Sequence, residues 1–410
     1  MEETKDTKNE VKQNLADKES QLNEVENTSE TLNKLKQAEP LTKTEKDYEE
    51  LDNFYCQIQK DYEELGNSYI KVLDENKALK ITEILAKECE KFSTWIEDQA
   101  SNSYGIRFNE LTRSEVLALK LSKAIGQGGY GTVFEAVLNG KTVALKVPIK
   151  GCEIENREFN QEVEILRRIR HPNLVTLIGA CPELYALVYE YLPNGSLEHR
   201  LSPTNKESLS WKERIKIAAA ICSALVFLHN IKPQPIAHGD LKPSNILFDL
   251  NNVCKLTDFG ISRVLKHTED TTTFNHKTNE PKGTSSYEDP DFVASHKLTR
   301  RADVYAFGII LLQLVTGQDA IKLRDHVFQK LQTPSDDINL ENFQRKPVKM
   351  KKRILEKFVD ANLVDWPIDE VVKMTSLGLR CSNDARKNRP DLVSEVWIEI
   401  ESMNGFASDS

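Results

Sequence analysis

Two short segments of the chain carry charged side chains in a spacing that few folds can use. The first covers residues 238–245 with the sequence HGDLKPSN, and the second covers residues 258–260 with the sequence DFG. The first segment therefore places an acid, a lysine and an asparagine on one short loop, and the second adds another acid before a glycine. Carboxylate and amide oxygens beside a lysine are suited to Mg²⁺ and phosphate, so these two segments are expected to share one cleft.

The overall composition limits the possible partners. The chain has 410 residues, 39% of them hydrophobic, and a net charge of -9. At about 150 residues per domain, this length predicts roughly two to three domains, with enough apolar residues for a sizeable core. The acidic balance argues against nucleic acid or an anionic membrane as a partner, because either would require a basic surface.

The cysteines and the apolar runs indicate a cytoplasmic protein without a membrane span. Seven cysteines are scattered along the chain and none forms a CxxC pair, which predicts reduced thiols in the cytosol. The acidic amino terminus is unlike a signal peptide, and Glu2 excludes a myristoylation site. The longest apolar runs, residues 217–228 and 308–315, are shorter than the roughly 20 residues that cross a bilayer, so we expect buried helices there.

The first hundred residues differ in composition from the rest. Residues 1–45 carry few large apolar groups and are predicted to be disordered or loosely helical, whereas residues 46–100 are predicted to be helical. A heptad seam consists of Leu51, Tyr55, Ile58, Tyr62, Leu65, Tyr69, Val72, Asn76 and Leu79. This seam, at 51–79, predicts either a coiled coil with a partner or a homodimer, or a single amphipathic helix packed on the next domain.

The remaining residues divide into a strand-rich part and a helical part. A linker at 101–117 contains a capping box, TRSE at 112–115, which opens a short helix. Strands are predicted within 124–138, at 141–149 and within 184–192, with a helix at 156–169. Long helices are predicted at 211–230, 302–316, 369–381 and 392–403. The pattern predicts an α+β fold in which a small lobe, 118–193, and a larger lobe, 194–404, flank a cleft, with a tail at 405–410.

A glycine-rich turn precedes one of the predicted strands. Residues 126–133 read GQGGYGTV, a GxGxxG pattern that alone is weak because many hairpins contain such turns. A dinucleotide-binding fold would require a helix after the glycines, whereas residues 132–137 have the pattern of a strand. Glycines at this position allow backbone amides to approach phosphate oxygens.

Lys146 and Glu162 form a predicted ion pair. Strand alternation over 142–147 places Val143, Leu145 and Val147 on one face and Lys146 on the other. Glu162 lies on the apolar stripe of its predicted helix, where a carboxylate is costly unless it is paired. An ordinary edge-strand lysine is the alternative for Lys146 alone, and the buried position of Glu162 favours the pair. Glu164 lies off that stripe and is expected to be solvated.

Taken together, these motifs resemble those of the eukaryotic protein kinases over residues 118–404. The likeness is closest to plant receptor-like cytoplasmic kinases of the type fused to a U-box, through residues 238–245, RPDL at 389–392 and EVW at 395–397. The resemblance implies a bilobal fold with a small β-rich N-lobe and a larger helical C-lobe, preceded by the helical or coiled-coil arm. It also implies a protein kinase of cytoplasmic signalling that uses ATP and Mg²⁺.

The resemblance also implies a role for each charged residue of the two segments. Asp240 is expected to orient the substrate hydroxyl and accept its proton, and Lys242 to contact the γ-phosphate as it moves. Asn245 and Asp258 are expected to hold Mg²⁺. Lys146 is expected to bind the α- and β-phosphates, oriented by the helix carboxylate.

A nucleotide pocket and a stacked core follow from the same resemblance. The residues expected to line the ATP pocket are Gly126, Gln127, Gly128, Gly129, Tyr130, Gly131, Val133, Ala144, Lys146, Glu162, Tyr189, Glu190, Leu192 and Leu247. Within that set, the backbone of residues 190–192 is expected to meet the adenine, with Tyr189 at the back of the pocket. An apolar spine is expected to consist of Leu166, Leu177, His238 and Phe259, anchored by Asp303.

The first charged segment and the residues before Pro290 bear on the acceptor and on the activation loop. Lys242 in the loop DLKPSN, with Gly283-Thr284 ahead of Asp289-Pro290, resembles serine/threonine kinases, so protein substrates with Ser or Thr acceptors are expected. Gly239 replaces an arginine that in many kinases pairs with a phosphate on the activation loop.

The chain departs from the family pattern in two ways that lead to hypotheses. Because glycine at 239 cannot bind a phosphate, phosphates on Thr271, Thr272, Thr273 or Thr278 are not expected to be an obligatory switch. Asp291 stands where the family usually has glutamate, and Arg389 is its expected partner.

Two other classes of function stay open at this point. A kinase-shaped scaffold acting through the helical arm is one, although such proteins usually lack the strand lysine, the loop acid or the metal acid, and all three are present here. The kinase part of a U-box ubiquitin ligase system is the other. No U-box pattern follows the kinase-like region, so we expect no direct ubiquitin transfer, and the sequence fits both a shortened form of a longer protein and a kinase-only relative.

Overall fold

The computed structural model describes nine ranges of the chain. These are residues 108–128, 131–148, 154–202, 209–231, 234–265, 271–273, 285–331, 346–363 and 366–408. The predictions for residues 1–45, 46–100 and the seam at 51–79 lie outside the described residues, as do residues 101–107 of the linker.

The smaller lobe is built on one sheet of six strands. The strands are β1 Asn109–Glu110, β2 Lys120–Gly128, β3 Gly131–Leu138, β4 Lys141–Val147, β5 Leu177–Cys181 and β6 Ala186–Glu190. Their order in the sheet is β1-β5-β6-β4-β3-β2. The β1–β5 pair is parallel, and the other neighbouring pairs are antiparallel. Helix α1, Arg113–Leu117, begins at Thr112 with the predicted capping box, and helix α2 covers Ile154–Leu166.

The alternation of side chains along β4 determines which groups of this sheet face the core. Val143 and Leu145 are buried in one apolar cluster with Ala136 and Val188, as the strand pattern predicts. Lys146 points to the opposite side. The lysine on this strand is thereby directed away from the apolar cluster.

The larger lobe is mainly helical. Its helices are α3 Leu197–Leu201, α4 Trp211–Asn230, α5 Pro290–Ser295, α6 Arg300–Thr316, α7 Leu323–Leu331, α8 Val348–Leu355, α9 Ile368–Cys381 and α10 Ile398–Ser408. Helices α4 and α6 contain the two long apolar runs and are largely buried, as expected. Among the described residues, no helix combines the length and the apolar character that a membrane crossing requires.

Short strands hold the two charged segments in place. These strands are β7 Ile236–Ala237, β8 Ile246–Phe248, β9 Cys254–Leu256, β10 Arg263–Val264, β11 Thr271–Thr273 and β12 Lys297–Thr299. They form the antiparallel pairs β7–β10, β8–β9 and β11–β12. Residues 238–245 join β7 to β8, and residues 258–260 join β9 to β10. Both segments are therefore connections whose ends are fixed by strand pairing.

The structure confirms the bilobal α+β fold and shifts several predicted boundaries. Helix α2 ends at Leu166, not 169, and β6 begins at Ala186 because a single helical turn, Pro182–Leu184, precedes it. The predicted helix at 392–403 begins as a wider π-helical turn, Leu392–Trp397, and continues as α10. Such boundaries depend on capping and packing more than on hydrophobic periodicity.

Candidate active site

The loop over residues 238–245 carries Asp240, the expected catalytic residue, and is called the catalytic loop here. One buried carboxylate holds its backbone in place. Asp303 on α6 accepts hydrogen bonds from the backbone amides of His238 at 2.9 Å and Gly239 at 2.8 Å. The ring of His229 lies 2.8 Å from the same carboxylate. Burial alone would raise the pKa of Asp303, but the hydrogen bond and charge of His229 outweigh burial and lower it. The carboxylate thus stays ionised and fixes the loop backbone, consistent with its expected role as an anchor.

Three side chains of this loop meet in one cluster. The Lys242 ammonium lies 2.8 Å from Oδ2 of Asp240. The Asn245 amide donates to the backbone oxygen of Asp240 at 2.8 Å and to its Oδ2 at 2.9 Å. Burial raises the pKa of Asp240, and the nearby Lys242 partly opposes that effect. Asp240 is therefore a carboxylate with increased basicity, held at fixed orientation.

The strand lysine bridges two carboxylates from distant parts of the chain. Nζ of Lys146 lies 3.0 Å from Oε2 of Glu162 on α2 and 3.1 Å from Oδ1 of Asp258. The side chain of Glu162 is 2% exposed, so the ion pair predicted from its position on the apolar stripe is formed. Burial alone would lower the pKa of Lys146, but the carboxylates of Asp258 and Glu162 outweigh it and raise that pKa. Glu164, as expected, is exposed and pairs only with Arg168.

The backbone around Asp258 has a conformation that orients its carboxylate. Asp258 has φ 65°, a left-handed value that is uncommon outside glycine. The next residue, Phe259, donates its backbone amide to Oε1 of Glu162 at 3.2 Å. Burial alone would raise the pKa of Asp258, and the Lys146 ammonium reverses this and holds it below the usual range. The carboxylate of Asp258 is thus ionised.

The residues of the expected apolar spine are buried, and two of their rings are in contact. Leu166, Leu177, His238 and Phe259 are all buried. The rings of His238 and Phe259 meet edge to face, with their centroids 4.8 Å apart. His238 begins the first charged segment, and Phe259 lies in the second, directly after Asp258. Their contact therefore fixes the two segments relative to each other. The backbone amide of Thr257 adds a bond of 2.9 Å to the Asn245 carbonyl.

Two oxygen donors fit a magnesium ion. Asn245 commits its amide nitrogen to Asp240, which leaves its side-chain oxygen as the atom that can bind a cation, and Asp258 supplies an ionised carboxylate. Within the described ranges, no group of three or more His, Cys, Asp or Glu side chains is arranged to hold a metal. A site with one carboxylate and one amide matches Mg²⁺, which protein oxygens and substrate phosphates hold together. When bound, the ion neutralises charge on the phosphates.

The glycine-rich turn is a hairpin, as the strand pattern after it predicts. Gly126 pairs with Val133, Gln127 with Thr132, and Gly128 with Gly131. A Cβ atom on Gly131 would lie 2.4 Å from the carbonyl oxygen of Val147, so the close approach of β3 and β4 requires glycine. Gly129 and Tyr130, at the tip, are outside the described residues.

The predicted hinge residues have different surroundings. Tyr189 is buried opposite Ala144 in the sheet, and burial and the Glu162 carboxylate raise its pKa, so its hydroxyl stays protonated. Glu190 uses its carboxylate structurally, accepting from the Thr176 amide at 2.8 Å and pairing with Lys255 at 3.3 Å. The backbone amide of Glu190 also donates to the carbonyl oxygen of Thr176, at 3.0 Å, so its own carbonyl oxygen is the group left for contact with a nucleotide.

The other expected lining positions are on neighbouring strands. Leu192 follows β6 and Leu247 lies on β8, and both side chains are partly exposed, as is Val133 on β3. On β8 the neighbours of Leu247 are buried, so this leucine lies on the more open face of the strand. These three positions can therefore offer apolar surface to a ligand.

The predicted partner of Arg389 was wrong. Arg389 pairs with Asp289 at 2.5 Å, and both side chains are completely buried. Asp291, the predicted partner, is 47% exposed and lies instead near Arg386, at 3.7 Å. Asp289 is the residue that caps helix α5 and turns into the core, whereas Asp291 lies in the exposed first turn of that helix.

Two acids near the site were not singled out from the sequence. Glu158 lies one helical turn before Glu162, so the i, i+4 spacing could have placed it on the same side of α2. Burial, followed by the charge of Asp258, raises the pKa of Glu158 to about 7. Glu288 is exposed, directly before buried Asp289, and its pKa is raised by burial and by the Asp240 carboxylate. Nothing in the sequence around Glu288 reveals this proximity.

Comparison with known proteins agrees with this geometry. The family model of the protein kinase domain matches residues 119–390. Among curated proteins, the chain is 43% identical over 290 residues to the U-box domain-containing protein 70 of Oryza sativa subsp. japonica, covering 70% of this chain and 34% of that protein. It is 41% identical over 287 residues to the U-box domain-containing protein 33 of Arabidopsis thaliana, covering 70% of this chain and 32% of that protein.

The matched region is only about a third of the length of these relatives. It contains the catalytic loop, the Lys146–Glu162–Asp258 triad and the glycine-rich hairpin. The family match over most of the described residues and the convergence of these groups lead to one conclusion: the chain belongs to the protein kinase family.

Proposed function

We propose that this chain is a serine/threonine protein kinase that transfers the γ-phosphate of ATP to hydroxyl groups of protein substrates. The observation that carries the proposal is the junction of two charged sets. Asp240, paired with Lys242 at 2.8 Å, accepts a hydrogen bond from the Asn245 side chain at 2.9 Å. The backbone carbonyl of Asn245 in turn accepts from the amide of Thr257, the residue before Asp258, and Asp258 is paired with Lys146 at 3.1 Å. One set suits an acceptor hydroxyl and the other suits a triphosphate, so the two reactants can meet.

The roles of the protein groups follow from their charges. Asp240 accepts the proton of the attacking hydroxyl, whose oxygen forms a bond to the γ-phosphorus while the bond from that phosphorus to the bridging oxygen breaks. ADP is the leaving group. Lys146 and Lys242 counter the negative charge on the phosphate oxygens, and Asn245 and Asp258 would hold Mg²⁺. Because the transition state is loose, fixed positions and charge neutralisation supply most of the rate enhancement.

Ser or Thr specificity and a cytoplasmic signalling role are further parts of this proposal. The loop DLKPSN at 240–245 supports Ser or Thr acceptors through its likeness to serine/threonine kinases. Cys181, Cys222, Cys254 and Cys381 are buried, reduced thiols, which suits a reducing compartment. Burial raises the pKa of Cys254 to about 12, so that thiol is not reactive. The plant relatives favour a plant signalling context.

Phosphoamino-acid analysis tests the proposal. The full chain is incubated with Mg²⁺, ATP and a mixture of protein substrates, beside an Asp240→Asn variant that keeps the loop geometry. We expect phosphoserine and phosphothreonine with the wild-type chain and a large loss with the variant. Phosphotyrosine alone would contradict the acceptor class, and equal labelling by both proteins would contradict the role of Asp240.

A second candidate is the kinase part of a U-box ubiquitin ligase system, which the names of the U-box relatives favour. Sequencing the transcript beyond codon 410 tests it, because a U-box in the same reading frame would support this candidate. The third candidate, a catalytically inactive scaffold, requires a defect in the site. Autophosphorylation compared with an Asp258→Ala variant separates the scaffold from the enzyme.

A further inference from the structure

A short segment beside the catalytic loop is fixed at both ends. The hydroxyl of Tyr287 donates to Oε1 of Gln313 on α6 at 2.7 Å. Asp289 is held by the buried pair with Arg389 and caps helix α5 by accepting from the Asp291 amide. The residue between these two anchors is Glu288, which is exposed. The residues on either side of Glu288 are therefore fixed, while its own side chain is only partly covered and remains accessible to solvent.

Glu288 shares a cavity with the catalytic base. A cavity of about 50 Å³ is lined by Asp240 and Gly239 from the catalytic loop and by Glu288 and Phe292 from the segment that follows. The negative charge of Asp240 also acts on the carboxylate of Glu288. Burial and the charge of Asp240 raise the pKa of Glu288, and the charge of Lys242 opposes them. Glu288 and Asp240 thus line the same cavity, so a substrate whose hydroxyl meets Asp240 brings its neighbouring residues close to Glu288.

The charges around this position are mainly negative. Burial raises the pKa of Tyr287, its hydrogen bond to Gln313 opposes that, and the carboxylates of Glu198 and Asp319 add to the increase. Lys242, the cation whose charge acts on Glu288, is paired with Asp240. Within the part of the chain that the structure describes, the Glu288 carboxylate has no ion-pair partner, so it can accept one from another molecule.

We propose that Glu288 is a specificity-determining residue that selects protein substrates with Lys or Arg beside the acceptor Ser or Thr. This inference rests on the proposed kinase function. A cationic side chain that pairs with Glu288 brings the neighbouring hydroxyl to Asp240, whereas an acidic side chain there is repelled by the surrounding carboxylates. Both effects favour the same substrates.

The experiment is a positional peptide library. Each peptide has one Ser acceptor and carries Lys, Ala or Glu at one of four positions on either side, and kcat/KM is measured for the full chain. We expect at least one position at which Lys exceeds Glu by about threefold to fivefold, the scale of a single partly exposed ion pair. That preference should fall clearly in Glu288→Gln, which leaves only the repulsion by the other carboxylates, and it should be lost or reversed in Glu288→Lys.

A matched control is Glu164→Gln, which also removes an exposed carboxylate but lies on α2 next to Arg168. It should keep the wild-type preference. The KM for ATP and the midpoint of thermal unfolding should be the same in Glu288→Gln as in the wild-type chain, since a general structural defect would alter them.

Two results would overturn the inference. One is a wild-type chain that phosphorylates the library but ignores charge at every position. The other is a preference that Glu288→Gln leaves unchanged. Autophosphorylation in the same preparations separates the two levels: if it occurs while the library shows no charge preference, only the role of Glu288 fails. If neither autophosphorylation nor peptide phosphorylation occurs with Mg²⁺ and ATP, the proposed function fails together with it.

Discussion

The nucleotide side and the acceptor side of the cleft differ in how closely they follow the kinase pattern. On the nucleotide side, Lys146 lies between Glu162 and Asp258 at 3.0 and 3.1 Å, as the family arrangement implies. On the acceptor side, Gly239 replaces an expected arginine, and Glu288 adds a carboxylate near Asp240. Arg389 pairs there with Asp289 instead of the predicted Asp291. The chemistry of ATP is the same for every substrate, whereas each protein substrate presents a different surface.

The contrast separates two kinds of constraint. Lys146 is shared by two carboxylates, one of them only 2% exposed, and this group tolerates little change because removal of one member leaves an unpaired charge. Groups on the acceptor side are in part exposed and can change without loss of the reaction. The comparison therefore predicts that substitutions on the nucleotide side and at Asp240 abolish the reaction, whereas those on the acceptor side alter stability or choice of substrate.

The largest expected effect is at the catalytic base. Asp240→Asn should reduce the rate of phosphate transfer by about 10²- to 10⁴-fold, because an amide cannot accept the hydroxyl proton. Single-turnover transfer to a peptide measures this rate. Circular dichroism controls for folding. A variant that retained a tenth or more of the wild-type rate would show that another group acts as the base.

The next largest effect concerns the corrected ion pair. Asp289→Asn should lower the free energy of unfolding by about 3–5 kcal/mol, because it leaves Arg389 buried without a charged partner. Asp291→Asn, at a half-exposed position, should cost less than about 1 kcal/mol. Urea unfolding of the two variants gives both values. If Asp291→Asn destabilised the chain more than Asp289→Asn, Asp291 would be the partner of Arg389, as predicted from the sequence.

A smaller effect on stability is expected at Gly239, the position where many kinases have an arginine. Gly239 has φ +82°, and a Cβ atom there would lie 2.9 Å from Cδ2 of Leu298 on β12. Gly239→Ala should therefore cost about 1–3 kcal/mol of stability. Gly140→Ala is the matched control, since Gly140 has φ +77° but no atom near the added methyl group. When Leu298→Ala is already present, Gly239→Ala should cost less than it does in the wild-type chain, whereas the cost of Gly140→Ala should stay the same. If Gly239→Ala and Gly140→Ala cost the same in the wild-type chain, contact with Leu298 is unimportant.

The nucleotide side should also carry a pH dependence. The pKa of Glu158 rises from its ordinary value of 4.5 to about 7 on folding, so the folded chain holds this proton more tightly than the unfolded chain. Stability should therefore fall as pH increases from about 4.5 to about 7. Glu158→Gln should flatten that part of the profile, measured by urea unfolding without nucleotide. A profile identical to that of the wild-type chain would contradict the raised pKa.

The smallest effect is expected on the activation loop. Alanine at Thr271, Thr272, Thr273 and Thr278 together should change the rate of phosphate transfer by less than about twofold, because Gly239 offers no cation to a phosphate. Steady-state kinetics on one peptide suffices. A fall to the level of Asp240→Asn would mean that phosphorylation of this loop is obligatory.

The sequence predicted most of the nucleotide side because its signals are local. Periodicity placed Glu162 on an apolar stripe, and strand alternation placed Lys146 away from the core, so the cost of an unpaired charge was enough to join them. The hairpin over the glycines followed from the strand pattern after them. The spacing of the two charged segments then identified the loops that carry Asp240 and Asp258.

The acceptor side could not be predicted in the same way because its contacts are tertiary. Asp289 and Asp291 are two residues apart, and only the direction in which helix α5 starts decides which carboxylate is buried against Arg389. The approach of Leu298 to Gly239 and of Glu288 to Asp240 likewise depends on how distant segments pack. No local pattern carries that information.

The central claim is that the Lys146–Glu162–Asp258 triad and Asn245 form a magnesium-dependent ATP site. Calorimetric titration of the full chain with ATP, with and without Mg²⁺, tests it most directly when the wild-type chain is compared with Asp258→Asn. We predict that Mg²⁺ increases the affinity of the wild-type chain for ATP by about tenfold or more and has almost no effect on the variant. Equal ATP affinity with and without Mg²⁺ in the wild-type chain, or no ATP binding at all, would contradict the account.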